Sequence, residues 1–183
     1  MTGAFFVTAG VLWRREMIRF FLAFLVVQGV LFGFELTPWA QHWFVIPWTD
    51  TLAALSAAIV KWFDPGVLAS GNVLQSMSNG FAVSIEAGCN GVEATIVLLA
   101  AILAFPAPWQ RKLIGLAAGV VAVQGLNVIR VISLFYLGQW NLDAFEFAHR
   151  YVWQALIMLD VLIVWLLWVR TLPRAGSARA VAA

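Results

Sequence analysis

Three side chains in this sequence could do chemistry together: a cysteine, an arginine and a histidine. Cys89 is the only cysteine, which excludes an intrachain disulfide, a CxxC redox pair and a Cys-rich metal site. It stands in the run Glu86-Ala87-Gly88-Cys89-Asn90-Gly91, just ahead of an apolar stretch that reads as a helix. A helix N-terminus carries partial positive charge, and that charge lowers a thiol pKa and favours the nucleophilic thiolate. Gly88 and Gly91 let backbone approach closely. Without such a setting, a lone cysteine is a small apolar core residue. His149 could be the base that activates Cys89 and later protonates a leaving amine. The other histidine, His42, lies among Trp39, Trp43 and Phe44 and reads as part of an interfacial aromatic belt. Arg130 interrupts the apolar run Asn127-Val128-Ile129-Arg130-Val131-Ile132, where a charge is costly unless it is paired, hydrated or used. Its guanidinium could hold a peptide carbonyl or stabilise a tetrahedral oxyanion. A nucleophile, a cation and a base are the parts that acyl transfer requires.

Two carboxylates could belong to the same site. Glu93 is four residues after Cys89, on the same helical face, and Asp160 lies near the middle of the fourth span, eleven residues after His149. Asp160 could pair with Arg130 or stay protonated. That pair supports a different reading, a non-enzymatic membrane scaffold or small transporter subunit. An intramembrane serine protease using Ser84 or Ser133 is a further alternative, but no G-x-S-x-G elbow is present.

The elements that must position these residues are membrane helices. Hydrophobic residues make up 63% of the chain and charged residues 11%, against about 25% charged in a soluble domain. The net charge is +2 and the basic residues are scattered, so nothing points to nucleic acid. Four segments are apolar enough to cross a bilayer: about Met17–Leu36, Gly91–Phe105, Leu113–Leu137 and Tyr151–Val169. Arg14 and Arg15 precede the first, and Arg19 lies at its start. Arg111 and Lys112 separate the second and third, and Arg170, Arg174 and Arg179 follow the fourth. The positive-inside rule then puts both termini in the cytoplasm and Cys89, Arg130 and His149 towards the extracytoplasmic face. Trp39, Trp43, Trp48, Trp140 and Trp153 fall near that face, and Trp109 and Trp168 near the other. The first span reads as an uncleaved signal anchor, since no A-x-A site follows it.

Between the first two spans, Thr51–Phe63 places Leu52, Leu55, Ile59 and Trp62 at helical spacing and reads as a helix lying in the outer interface. The runs 72–78 and 81–86, joined by Asn79-Gly80, read as a β-hairpin that feeds into the cysteine loop. The expectation is an all-α multi-pass membrane protein of about four transmembrane helices, with an interfacial helix and a small extracytoplasmic hairpin. Residues 1–172 form one integral-membrane domain and 173–183 a disordered cytoplasmic tail.

These residues resemble a known family. Glu86-Ala87-Gly88-Cys89-Asn90-Gly91 resembles the cysteine motif E-x-C-S-G of exosortases and archaeosortases, with one more residue before the cysteine and Asn where Ser is usual. Asn127-Val128-Ile129-Arg130 resembles their N-x-x-R motif, and His149 matches their histidine. The match covers roughly residues 80–155, and the short chain is similar to the exosortase H subgroup. The resemblance implies a bacterial inner-membrane thiol protease or transpeptidase that needs no metal or other cofactor. Its partners would be exported proteins ending in a short motif, a transmembrane helix and a basic tail, together with the surrounding lipid. Cys89 would attack the peptide bond near the motif, Arg130 would position the scissile carbonyl and His149 would move protons. The acyl-enzyme would pass to another acceptor or to water. Glu86, Asn90, Glu93, Asn127 and Asp160 would support substrate and site.

Overall fold

The computed structural model describes residues 3–173, with side-chain surroundings from residue 15 onward. In chain order these residues form α1 (Gly3–Glu35), α2 (Pro38–Val60), β1 (Val67–Ser70), β2 (Val73–Ser76), β3 (Ala82–Ser84), α3 (Val92–Ala104), α4 (Trp109–Trp140) and α5 (Leu142–Arg170). Four helical stretches are long and apolar enough to cross a membrane: Arg15–Glu35, Pro38–Val60, Trp109–Trp140 and Leu142–Arg170. The chain is an integral membrane protein.

Three of these coincide with expected spans, and the fourth, Pro38–Val60, is longer than the interfacial helix expected there. Residues 91–105 yield a helix of 13 residues, α3, about 20 Å long at 1.5 Å per residue. Thr51–Phe63 is instead the latter part of α2, which starts at Pro38 and stops at Val60. The sequence obscures α2 because Pro47 would break an ordinary helix. The chain passes that point by widening into a π turn at Gln41–Val45, where the Ile46 N–H bonds the Gln41 carbonyl five residues back.

Two apolar cores lie one after the other along α4, which at 32 residues is about 48 Å long. Towards Trp109, Ala94, Leu98 and Ile102 of α3 pack with Val123 of α4 and with Ile157, Val161 and Trp168 of α5. Gly115 and Gly119 leave room on α4 for the Trp168 indole and the Leu98 side chain. Towards Trp140, Leu52, Ala53, Ala57 and Val60 of α2 pack with Val67, Leu74, Ile85 and with Val128, Val131 and Phe135 of α4. The second core is therefore a cap of α2 and the sheet on a bundle of α1, α3, α4 and α5. The cysteine loop runs through the junction between them.

The sheet has three antiparallel strands in the order β1-β2-β3, not the two of a hairpin. The expected hairpin is present, but it closes through the four residues 77–80 and not through a two-residue Asn79-Gly80 turn, with Val73 opposite Ser84 and Leu74 opposite Val83. The strand the sequence reading omitted, β1, joins β2 through Gly71-Asn72, with Gly71 at φ +56°. A Gly-Asn pair between apolar runs is itself a hairpin signal. Of the expected tail, residues 174–183 lie outside the described residues.

Candidate active site

The cysteine loop takes its shape from its glycines and one asparagine. The Cys89 N–H bonds the Glu86 carbonyl, closing a turn in which Gly88 takes φ +82°, as the third residue of a type II turn must. Gly91 follows at φ +74°, and a Cβ there would press on the Gln124 and Asn127 side chains at 3.0–3.1 Å. Only glycine meets both demands. Asn90 is fully buried. Its Oδ1 accepts the Val92 N–H at the start of α3, its Nδ2 donates to Thr49 Oγ1, and its carbonyl accepts from Trp48 Nε1. The loop is thus tied to both α2 and α3.

Cys89, Arg130 and His149 converge from three elements. Cys89 Sγ lies 2.9 Å from His149 Nε2, and Arg130 Nη2 donates to Cys89 Sγ at 3.4 Å. His149 sits in a second π turn, Ala148–Val152, where the Trp153 N–H reaches the Ala148 carbonyl. The helix carrying it begins at Leu142, so His149 lies inside this helix and not at its mouth. Phe145 stacks on the imidazole with ring centroids 5.6 Å apart. A small cavity of about 80 Å³ opens among Val83, Ser84, Ile85, Glu86, Cys89, Arg130, Val131, Leu134, Phe145 and His149. A larger apolar groove of about 430 Å³, between α1, α2, α3 and α4, contains none of the three.

The remaining candidates separate. Glu93 does not share a helical face with Cys89, which precedes α3; it reaches back to accept the Gly88 N–H at 2.6 Å and so braces the turn. Glu86 is exposed, lines the cavity and accepts from Ser84 Oγ. Asn127 is fully buried beneath Gly91, and neither its amide nitrogen nor its oxygen has a partner. Asp160 forms no ion pair with Arg130: the pairs among the described residues are Arg19–Glu16 and Arg150–Glu146. Nor does Asp160 line the cavity. The buried Arg130–Asp160 pair of the scaffold reading is therefore absent. Ser133 donates to its own helix at the Arg130 carbonyl, and His42 lies edge-on to Trp43, away from the cavity. Sequence reasoning missed Phe145, which carried no signal. It also missed Gln124, whose Nε2 donates to the Gly91 carbonyl and to Thr95 Oγ1. Gln124, Asn127 and Arg130 recur at three-residue spacing in an apolar helix, and that stripe was the available clue.

The electrostatics correct one expectation. Burial pushes the Cys89 thiol up from its ordinary pKa; Arg130 pulls it down, and Glu93 and Glu86 push it up, with the upward effects prevailing. Cys89 lies three residues before α3, and the helix end does not deliver the lowered pKa anticipated for it. The thiol is held neutral against an imidazole that can accept its proton. The thiolate fraction grows as pH rises through this raised pKa, so alkylation of Cys89 by iodoacetamide should accelerate towards alkaline pH. In Arg130→Gln the charge that lowers the pKa is gone, and the profile should move to higher pH. In Glu93→Gln a charge that raises it is gone, and the profile should move to lower pH. Coincident profiles for the three proteins would contradict this account.

Neither the curated proteins nor the solved structures compared with this chain gave a match. The family profile described as transmembrane exosortase (Exosortase_EpsH) matches residues 2–168, nearly the whole chain and all of the geometry above. With the cysteine, arginine and histidine inside that match, the chain belongs to the transmembrane exosortase family, whose members are membrane-embedded enzymes of protein sorting.

Proposed function

We propose that the protein is a cysteine transpeptidase that cuts the C-terminal sorting signals of exported proteins at the extracytoplasmic face of the bacterial inner membrane. One observation carries the reading: a thiol within hydrogen-bond reach of an imidazole and a guanidinium, in one cavity. His149 Nε2 takes the Sγ proton as Cys89 attacks the scissile carbonyl carbon. The oxyanion that develops lies beside the Arg130 guanidinium, already inside the protein and in need of no reorganisation. The imidazolium returns its proton to the leaving amine as the C–N bond breaks, leaving a thioester on Cys89. An amine or water then attacks the thioester and frees the enzyme.

The orientation has support beyond the sequence. Trp168 Nε1 donates to the Arg111 carbonyl, and Phe20 stacks on Trp165. Arg15, Arg19, Arg111, Lys112 and Arg170 therefore gather at one end of the bundle, with the site towards the other. By the positive-inside rule the basic end is cytoplasmic. The substrates on this reading carry a motif, a membrane helix and a basic tail of their own, so the helix diffuses in the bilayer and the motif emerges beside Cys89.

The test is the thioester. Incubating the detergent-solubilised enzyme with an anchored sorting-signal protein and hydroxylamine should yield the shortened substrate as its C-terminal hydroxamate. Cleavage without hydroxamate, at hydroxylamine concentrations that outcompete water, would remove the acyl-enzyme from the reading.

A further inference from the structure

The sheet ends on an unpaired strand at the catalytic cavity. The strand order leaves β3 with one free edge. Hydrogen bonds fix which groups face it. The Ser76 N–H bonds the Phe81 carbonyl, and the Ile85 N–H bonds the Asn72 carbonyl. In an antiparallel pair, such bonded residues alternate with residues whose N–H and C=O both point the other way. The Phe81 carbonyl and the main-chain groups of Val83 and Ile85 therefore face β2, the Phe81 N–H bonding Asn79 Oδ1 instead, while Ala82 and Ser84 turn theirs outward. Val83, Ser84 and Glu86 also line the cavity that holds Cys89, Arg130 and His149. An exposed edge is a template for another strand, and natural proteins blunt such edges with charge, proline or a cover. Ala82-Val83-Ser84 has neither charge nor proline, and Ala82 and Ser84 are exposed.

We infer that the substrate binds as a fourth strand: the extended backbone beside the scissile bond pairs with the free edge of β3 and is delivered along it to Cys89. This rests on the proposed cysteine chemistry and adds to it the form in which substrate is read. Recognition by strand addition draws its affinity from main-chain hydrogen bonds and its specificity from pockets for alternate side chains. The ligand is accordingly an unfolded, extended peptide segment; a helix has no free main-chain groups to offer.

The experiment uses the full chain and an anchored sorting-signal reporter. Ser84→Pro and Ala82→Pro each remove an outward N–H and keep the main-chain bonds to β2, Ser84→Pro also losing the Ser84 Oγ bonds to Asn72 and Glu86, and an edge strand accommodates proline. Each should lower kcat/KM by roughly five- to tenfold, the worth of a main-chain hydrogen bond, chiefly through KM. Iodoacetamide alkylation of Cys89 should keep its wild-type rate in both. A second measurement leaves the enzyme unmutated. Peptides copying the reporter's cleavage segment, each with one N-methylated amide, should lose inhibition at every second position. Proline variants that process at the wild-type rate, or N-methyl effects without a period of two, would overturn strand addition and leave the thiol chemistry standing. Processing that persists in Cys89→Ala would instead remove the chemistry beneath it.

Discussion

Cys89→Ala should abolish processing of an anchored substrate, with a fall of at least about 10⁴ in kcat, by analogy with loss of the nucleophile in other acyl-transfer enzymes. The residue forms no disulfide and is only partly buried at the edge of the sheet-side core. Removing one sulfur from such a position opens little cavity, so membrane insertion and thermal stability should stay near wild type. Cys89→Ser is the more searching variant. It keeps shape and a hydrogen-bond donor, but a hydroxyl beside His149 is a far weaker nucleophile than a thiol, and processing should again be undetectable. Substrate that still shortens in both variants, followed by gel mobility in membranes expressing enzyme and substrate, would sink the nucleophile assignment. A scaffold predicts the reverse, normal function in Cys89→Ala.

Arg130→Met should separate activity from stability. Arg130 is about 3% exposed, its Nε has no partner, and no carboxylate pairs with it among the described residues. Breaking a buried ion pair is destabilising because it strands the other charge, but here no countercharge is left behind. Methionine replaces an expensive guanidinium with an apolar chain of similar length, so the melting temperature in detergent should hold or rise. The reaction should slow by about 10²–10³, the usual consequence of deleting an oxyanion donor. Arg130→Lys should rescue little, because an ammonium lacks the planar fork that reaches both sulfur and carbonyl. A variant that loses its fold along with its activity would return Arg130 to a structural role.

The parts of this architecture written in long apolar periods were readable in advance. The spans now assigned to α1, α4 and α5 follow from hydropathy, and a β2–β3 hairpin follows from Asn79-Gly80, though not its four-residue loop or its register. What was hidden depended on local departures from regular helix. Pro47 concealed the full length of α2 because the π turn that admits it has no sequence signature, and the apolar run 91–105 overstates α3 by Gly91 and Phe105, which lie outside its backbone. The site divides similarly. The individual reactive residues could be named because a lone cysteine, an arginine in an apolar helix and a histidine near a span are each conspicuous. Their mutual distances could not be read, nor the burial that raises the thiol pKa, nor the absence of any bond between Arg130 and Asp160, which hydropathy treats as an attractive pair. Glu93 was singled out for a helical face it does not share with Cys89; it acts through the Gly88 N–H instead.

The unbroken length of α4 gives the enzyme a fixed gauge. Between Trp109 and Arg130 the helix advances roughly 32 Å, close to the ~30 Å depth of bilayer hydrocarbon. A rod that is packed into both cores holds that interval constant, so the thiol stands one hydrocarbon thickness away from the basic end. On the proposed reading, cut position is then measured from the far side of the membrane, by the length of the substrate's own anchor. Helices too short or too long would present the wrong bond, whatever their motif.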